Sequence, residues 1–316
     1  MAREFWGSSE LNHEDFEGAK KALSEFQEQG RIPHEKELEK PEFLKNMLDF
    51  ANKCLGEELL SLGVDDYSTT KLDQVHLFQT KDFEPGKMFP EGIGYHDSFY
   101  EAIAIDYQVA ISKGKSLIFN ILLHEMIHMA SCKKIFVAKK DKQDFGLAVS
   151  KTGYGISNSS DVNHEHFRAF NEAITSAVVS EIWEKNWREI ASTIDEPEMP
   201  TDLPNQLETE KAETVKSFLN LVANFYNQDP EEFWQEVKRG MFSGQMMHLR
   251  KIERAWGPGS LRVLAALGSA TKKDAPEYKL AMQFISEPDP EKREEIAHQL
   301  LNEREWLRYE KRQKKN

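Results

Sequence analysis

LLHEMIHMAS, residues 122–131, places two histidines and a glutamate in an otherwise apolar run. Its neighbours Ile121, Leu122, Leu123, Met126, Ile127, Met129 and Ala130 are all uncharged. A helix apolar on nearly every side is a buried helix. Burying two imidazoles and a carboxylate costs several kcal/mol unless they are paired or hold a cation. His124 and His128 stand four apart, so a helix sets both rings on one face, within reach of one ion. Glu125 points about 100° away around the axis and stays clear of a ligand position. That division of labour is the mechanical content of H-E-x-x-H: two metal ligands and one general base.

Such a centre needs a third protein ligand, which leaves one position for water. A third histidine in the extended HExxHxxGxxH pattern is excluded, because Ser131 and Lys134 occupy the required places. The peptide-deformylase and HxxxHxxxxxH metal-ribonuclease patterns fail as well: the first lacks its upstream cysteine and the second meets Lys134. A carboxylate on a downstream helix remains, and Glu172 in FRAFNEAITSAVV fits, being the lone acid among Phe167, Phe170, Ala173, Ile174 and Ala177. His164, Glu165 and His166 in NSSDVNHEH are rival ligands, set in a polar stretch that reads as the start of the same helix.

Around these motifs the pattern predicts a mixed chain. HEDFEGAKKALSEFQEQG forms one helix in a loose N-terminal arm, stopped by Gly30. PEFLKNMLDFANKCLGEELLSLG opens on Pro41, closes on Gly63 and carries a broad apolar stripe from Leu44 to Leu60. DQVHLFQT (73–80) and SFYEAIAIDY (98–107) alternate with period two and read as strands. Ser116 is a candidate N-cap for the HEMIH helix. DFGLAVSKTGYGIS reads as a hairpin turning near Gly153, followed by the helix HEHFRAFNEAITSAVVSEIWEKNWREIAS. IDEPEMPTDLP is acidic and proline-rich, a linker. Helical segments follow to the end, and Phe225, Tyr226, Phe233, Trp234 and Trp256 in them read as core.

The chain has 316 residues, a formal net charge of −13 and two cysteines. That charge disfavours nucleic acid or an anionic membrane as partner, and the basic KRQKK tail reads as a solvated terminus. Cys54 and Cys132 look nothing like a disulfide framework and read as free thiols. The N-terminal stretch lacks the features of a signal peptide and no apolar run is long enough to span a bilayer, so a cytoplasmic protein is expected.

HEMIH, a hairpin and then NEAIT together resemble the gluzincin-type zinc metallopeptidases, especially the small minigluzincins, over about residues 70 to 185. The resemblance implies an α+β, zincin-like fold: a small mixed sheet on an active-site helix and a glutamate helix, then a helical C-terminal subdomain. It implies one Zn2+ per chain held by His124, His128 and Glu172, with Glu125 as base. It also implies an edge strand, EAIAID, that takes an extended peptide by strand addition. One position departs: many gluzincins carry an acid four residues after the glutamate ligand, where this chain has Ser176.

The expected domains are an N-terminal helical arm (1–40), a catalytic domain (41–193), a linker (194–210) and a helical C-terminal subdomain (211–316). The expected activity is zinc-dependent hydrolysis of peptide bonds, by an endopeptidase in preference to an exopeptidase, on a peptide or protein substrate. Tyr154 in KTGYG is the candidate to hold the oxyanion, with His164, His166, Tyr226 and His248 as alternatives. A regulatory or binding module on a zincin scaffold, with weak or autoinhibited catalysis, is the alternative reading. A structural zinc fits less well, since such sites prefer four closed ligands rich in cysteine.

Overall fold

The computed structural model describes residues 3–7, 9–29, 36–83, 93–139, 145–158, 161–196 and 209–257, positions 260, 261, 264, 280, 283 and 284, and residues 286–300. Gly30, most of the 194–210 stretch, most of GSLRVLAALG and the KRQKK tail lie outside the described residues. The architecture is mixed α+β, and the described part of the C-terminal third is helical. Two compact units emerge: Met1–Thr152 with Val178–Leu207, and Gly153–Ala177 with Glu208–Asn316. No helix among the described residues is long and apolar enough to cross a membrane.

The first unit is organised around the HEMIH helix, α4 (Lys115–Ala130), in which nearly every side chain is buried. Helix α2 (Glu42–Ser61) packs on it with the stripe Leu44, Met47, Leu48, Ala51, Cys54, Leu55 and Leu59. Leu60, read as part of that stripe, is instead 67% exposed. Strands β2 (Val75–Phe78), β3 (Gly94–Asp97) and β4 (Ala102–Asp106) form a sheet in the order β2-β4-β3, with β2 parallel and β3 antiparallel to β4. The sequence pattern found β2 and β4 but passed over β3, four residues long at the end of a turn-rich segment. The EAIAID strand, expected at an edge, is therefore the centre of this sheet, and the edge against α4 is β3. A short helix, α3 (Tyr107–Ser112), capped by the Asp106 carboxylate accepting from the Val109 N–H, leads into α4.

The start of α4 is not capped by Ser116. Gly114 precedes the helix at φ +114°, and the Glu196 carboxylate accepts from the backbone N–H groups of Lys115 and Ser116 at 2.6 and 3.1 Å. A carboxylate on unsatisfied amides at a helix N-terminus also complements the macrodipole. At the other end, β1 (Arg3–Gly7) runs parallel to β5 (Lys133–Lys139), which pairs antiparallel with β6 (Phe145–Thr152). The N-terminal arm is thus a strand, β1, followed by the expected helix, α1 (His13–Gln29). Trp6 fixes this strand by donating its indole N–H to Ser150 Oγ at 2.8 Å.

The second unit holds the hairpin β7 (Gly155–Asn158) and β8 (Asp161–His166) and the start of α5 (Arg168–Ile194), whose remainder belongs to the first unit. His164-Glu165-His166 therefore lies in a strand and not on the helix: Ile156 pairs with His166 and Ser157 with Glu165. Helices α6 (Thr209–Phe225), α7 (Pro230–Ser243), α8 (Leu249–Trp256) and α9 (Pro290–Leu300) complete the described chain. Asp229 caps α7 through the Glu231 and Glu232 amides, and Gly244 closes it at φ +77°. Phe233 and Trp234 are buried as expected, while Phe225 is 60% exposed.

A buried ion pair ties β5 to the end of α4. Lys133 Nζ lies 2.6 Å from Glu101 Oε1, donates to the Met129 carbonyl at 3.1 Å and stands 3.4 Å from His96 Nε2. Arg3 approaches the same Glu101 oxygen at 3.3 Å. Burial lowers the Lys133 pKa and the Glu101 carboxylate opposes that shift. Lys133→Met would strand the Glu101 charge, with Arg3 as its remaining partner. Urea denaturation should show a loss of about 3 kcal/mol, and the double change Lys133→Met with Glu101→Leu should recover most of it.

Candidate metal centre

Helix α4 presents His124 and His128 one turn apart, their ring centroids 4.8 Å from each other and their planes inclined at 69°. The two Nε2 atoms face each other at 3.1 Å. Two nitrogens bound at about 2.0–2.1 Å to one tetrahedral ion stand about 3.3 Å apart. The same spacing accommodates one N–H···N hydrogen bond, in which only one of the two Nε2 atoms carries a proton. His128 is 8% exposed and His124 somewhat more open, so one ring is anchored in the core and the other lines a more accessible face.

Glu172, near the start of α5, joins them. Ligand atoms of His124, His128 and Glu172 all lie within 4.8 Å of one another, a group that could hold a metal ion. Closing from that separation to ligand distances asks for a small adjustment, and a glutamate side chain has three rotatable bonds to make it. Two imidazole nitrogens and one carboxylate suit zinc and other first-row divalent ions, and three protein donors leave a position open. The side chains of the rivals His164, Glu165 and His166 lie outside the described residues.

Glu125 is 9% exposed and projects towards β3. A Cβ added at Gly94 would meet Ile121 Cγ2 and would lie 3.7 Å from Glu125 Oε1. Glycine at this position thus allows β3 to lie close against α4, beside the carboxylate. Ser176, where an acid was expected, is 1% exposed and sits on the buried side of α5.

Tyr154 is fully buried in the second unit, and burial holds its phenol well above the usual pKa, so it stays protonated. Its hydroxyl donates to the Val237 carbonyl at 2.6 Å and stands 2.5 Å from His248 Nε2. Tyr226, another candidate for an oxyanion, donates its hydroxyl to the Lys251 carbonyl at 3.2 Å. Two groups escaped the sequence reading. His96 on β3 and Lys133 on β5 meet at 3.4 Å, and burial, followed by the charges of Lys133 and His128, keeps the His96 imidazole well below its usual pKa. Nothing local marks either residue, since each depends on partners far away in sequence. Both cysteines are buried free thiols, as expected, and burial pushes Cys54 up to about 11.

The geometry makes a direct prediction. The purified protein should take up one divalent metal per chain, and saturating metal at 100 times Kd should add about 2.7 kcal/mol of stability. Glu172→Ala should weaken the metal by at least about 100-fold, read by chelator competition. Unchanged affinity in Glu172→Ala would remove that residue from the centre.

Compared with known proteins, the chain matches no family, no curated protein and no solved structure.

Proposed function

We propose that the protein is a zinc-dependent peptidase whose ion is held by His124, His128 and Glu172, with Glu125 as general base. The observation that carries this reading is the convergence of those three ligands, one of them distant in sequence from the other two. Zinc, when bound there, would supply Lewis-acid polarisation of the scissile carbonyl and of the attacking water. Glu125, the residue next to His124, accepts the water's proton on its carboxylate and passes it to the departing amide nitrogen. A structural zinc would have no use for that carboxylate beside an incomplete ligand set.

The substrate strand is proposed to run along β3 and not along EAIAID, whose two sides are already taken by β2 and β3. Strand β3 pairs on one side with β4, and Gly94 brings its backbone close to Glu125. An extended peptide added to that edge would lie beside the base. Tyr154 has no place among the reacting groups, because its hydroxyl is committed to Val237 and His248.

Cleavage of casein or a peptide library by zinc-loaded protein should fall at least about 100-fold in Glu125→Gln, with one zinc per chain retained. Equal cleavage by the variant would remove Glu125 from the mechanism. Zinc retained by a wild type that cleaves nothing would turn the reading towards a binding module on the same scaffold.

A further inference from the structure

The hydroxyl that the sequence offered as an oxyanion donor sits instead at the centre of a buried anchor in the second unit. Gly153 and Tyr154 form the turn between β6 and β7, and the Tyr154 N–H donates to Asn171 Oδ1 at 2.8 Å. Asn171 is the residue before Glu172 and is 3% exposed. Gly153 holds φ +56°, and a Cβ there would run into Asn171 Oδ1. The Tyr154 ring packs edge-on against Phe170, centroids 5.2 Å apart, so turn and helix start also share an apolar contact.

The far end of the same side chain reaches the C-terminal helices. Its one phenol proton goes to the Val237 carbonyl of α7, so His248 Nε2–H is the donor in the 2.5 Å contact with the phenol oxygen. Gly240 makes room for this: a Cβ there would collide with His248 and stand 2.6 Å from the Tyr154 oxygen. The backbone N–H and the hydroxyl of Tyr154 together tie α7 and the residue before α8 to the first turn of α5. Phe167, just before α5, is held at φ +61°, a conformation unusual for a bulky residue, and its carbonyl accepts from the Asn171 N–H at 2.8 Å. The start of this helix is fixed by its surroundings and not by local preference.

We propose that Tyr154 is a positioning residue: it locks Asn171, and with it Glu172, to the C-terminal helices, so that those helices set the affinity of the metal centre. The inference rests on the peptidase reading only for the identity of the three ligands. His124 and His128 ride on α4, whereas Glu172 depends on where the first turn of α5 is held. An outer partner that orients a ligand commonly changes metal affinity by about 10–100-fold when removed.

The test is a double-mutant cycle on zinc affinity, measured by chelator competition with Zn2+ alone as probe. Tyr154→Phe keeps the ring and the backbone N–H and removes only the hydroxyl. It should weaken zinc about 10-fold in the wild-type background and have no further effect in Glu172→Ala. His248→Ala, the second variant, should behave in the same way, and circular dichroism verifies that each is folded. A wild type that binds no zinc would sink the metal reading itself. If the wild type binds zinc and Glu172→Ala weakens it, equal affinity in folded Tyr154→Phe or His248→Ala overturns this inference. A loss of the same size in the Glu172→Ala background overturns it too, since the hydroxyl would then act by another route.

Discussion

The cost of burying polar groups on an apolar helix governs this protein. Helix α4 is surrounded on nearly every side, yet it carries His124, Glu125 and His128, the last two buried. Each imidazole and carboxylate removed from water must be compensated, and a shared cation does so for several at once. The rest of the first unit follows from keeping that helix buried and fixed. Helix α2 covers one side, β3 and β4 lie on another, Glu196 satisfies its first amides and Lys133 reaches the Met129 carbonyl in its last turn.

Much of this was legible in the residues and some was not, for physical reasons. Helices α2 and α7 declare themselves through apolar spacing and local boundaries, such as Asp229 before α7. Helix α4 does so through its apolar run, although the carboxylate on its first amides, Glu196, is remote in sequence. Glu172 stood out because a lone acid in an apolar helix asks for a partner, and the structure sets it beside the histidines. Strands β1 (REFWG) and β3 (GYHD) carry no apolar alternation of the kind that marks VHLF and AIAID, so nothing in their residues registers as a strand. Residues 164–166 read locally as the start of a helix because polar cap formers precede an apolar periodic run; pairing with β7 decides otherwise, and pairing is not local.

The same limit explains Tyr154. In sequence it is a tyrosine in a glycine-rich turn just ahead of the ligand helix, where an oxyanion donor is a reasonable expectation. Its partners Val237 and His248 come from helices more than eighty residues away, as the hydrogen-bond separations of 83 and 94 positions show. Long-range partners also convert Lys133 from an ordinary surface cation into a buried anchor. Residues whose meaning depends on distant neighbours are where reading by pattern fails.

The most direct test of the metal centre is X-ray diffraction from zinc-loaded crystals at wavelengths on either side of the zinc absorption edge. One anomalous peak per chain is expected, about 2.0–2.2 Å from Nε2 of His124, Nε2 of His128 and a carboxylate oxygen of Glu172. A peak ligated elsewhere, or none with the two imidazoles hydrogen-bonded directly to each other, would contradict the account.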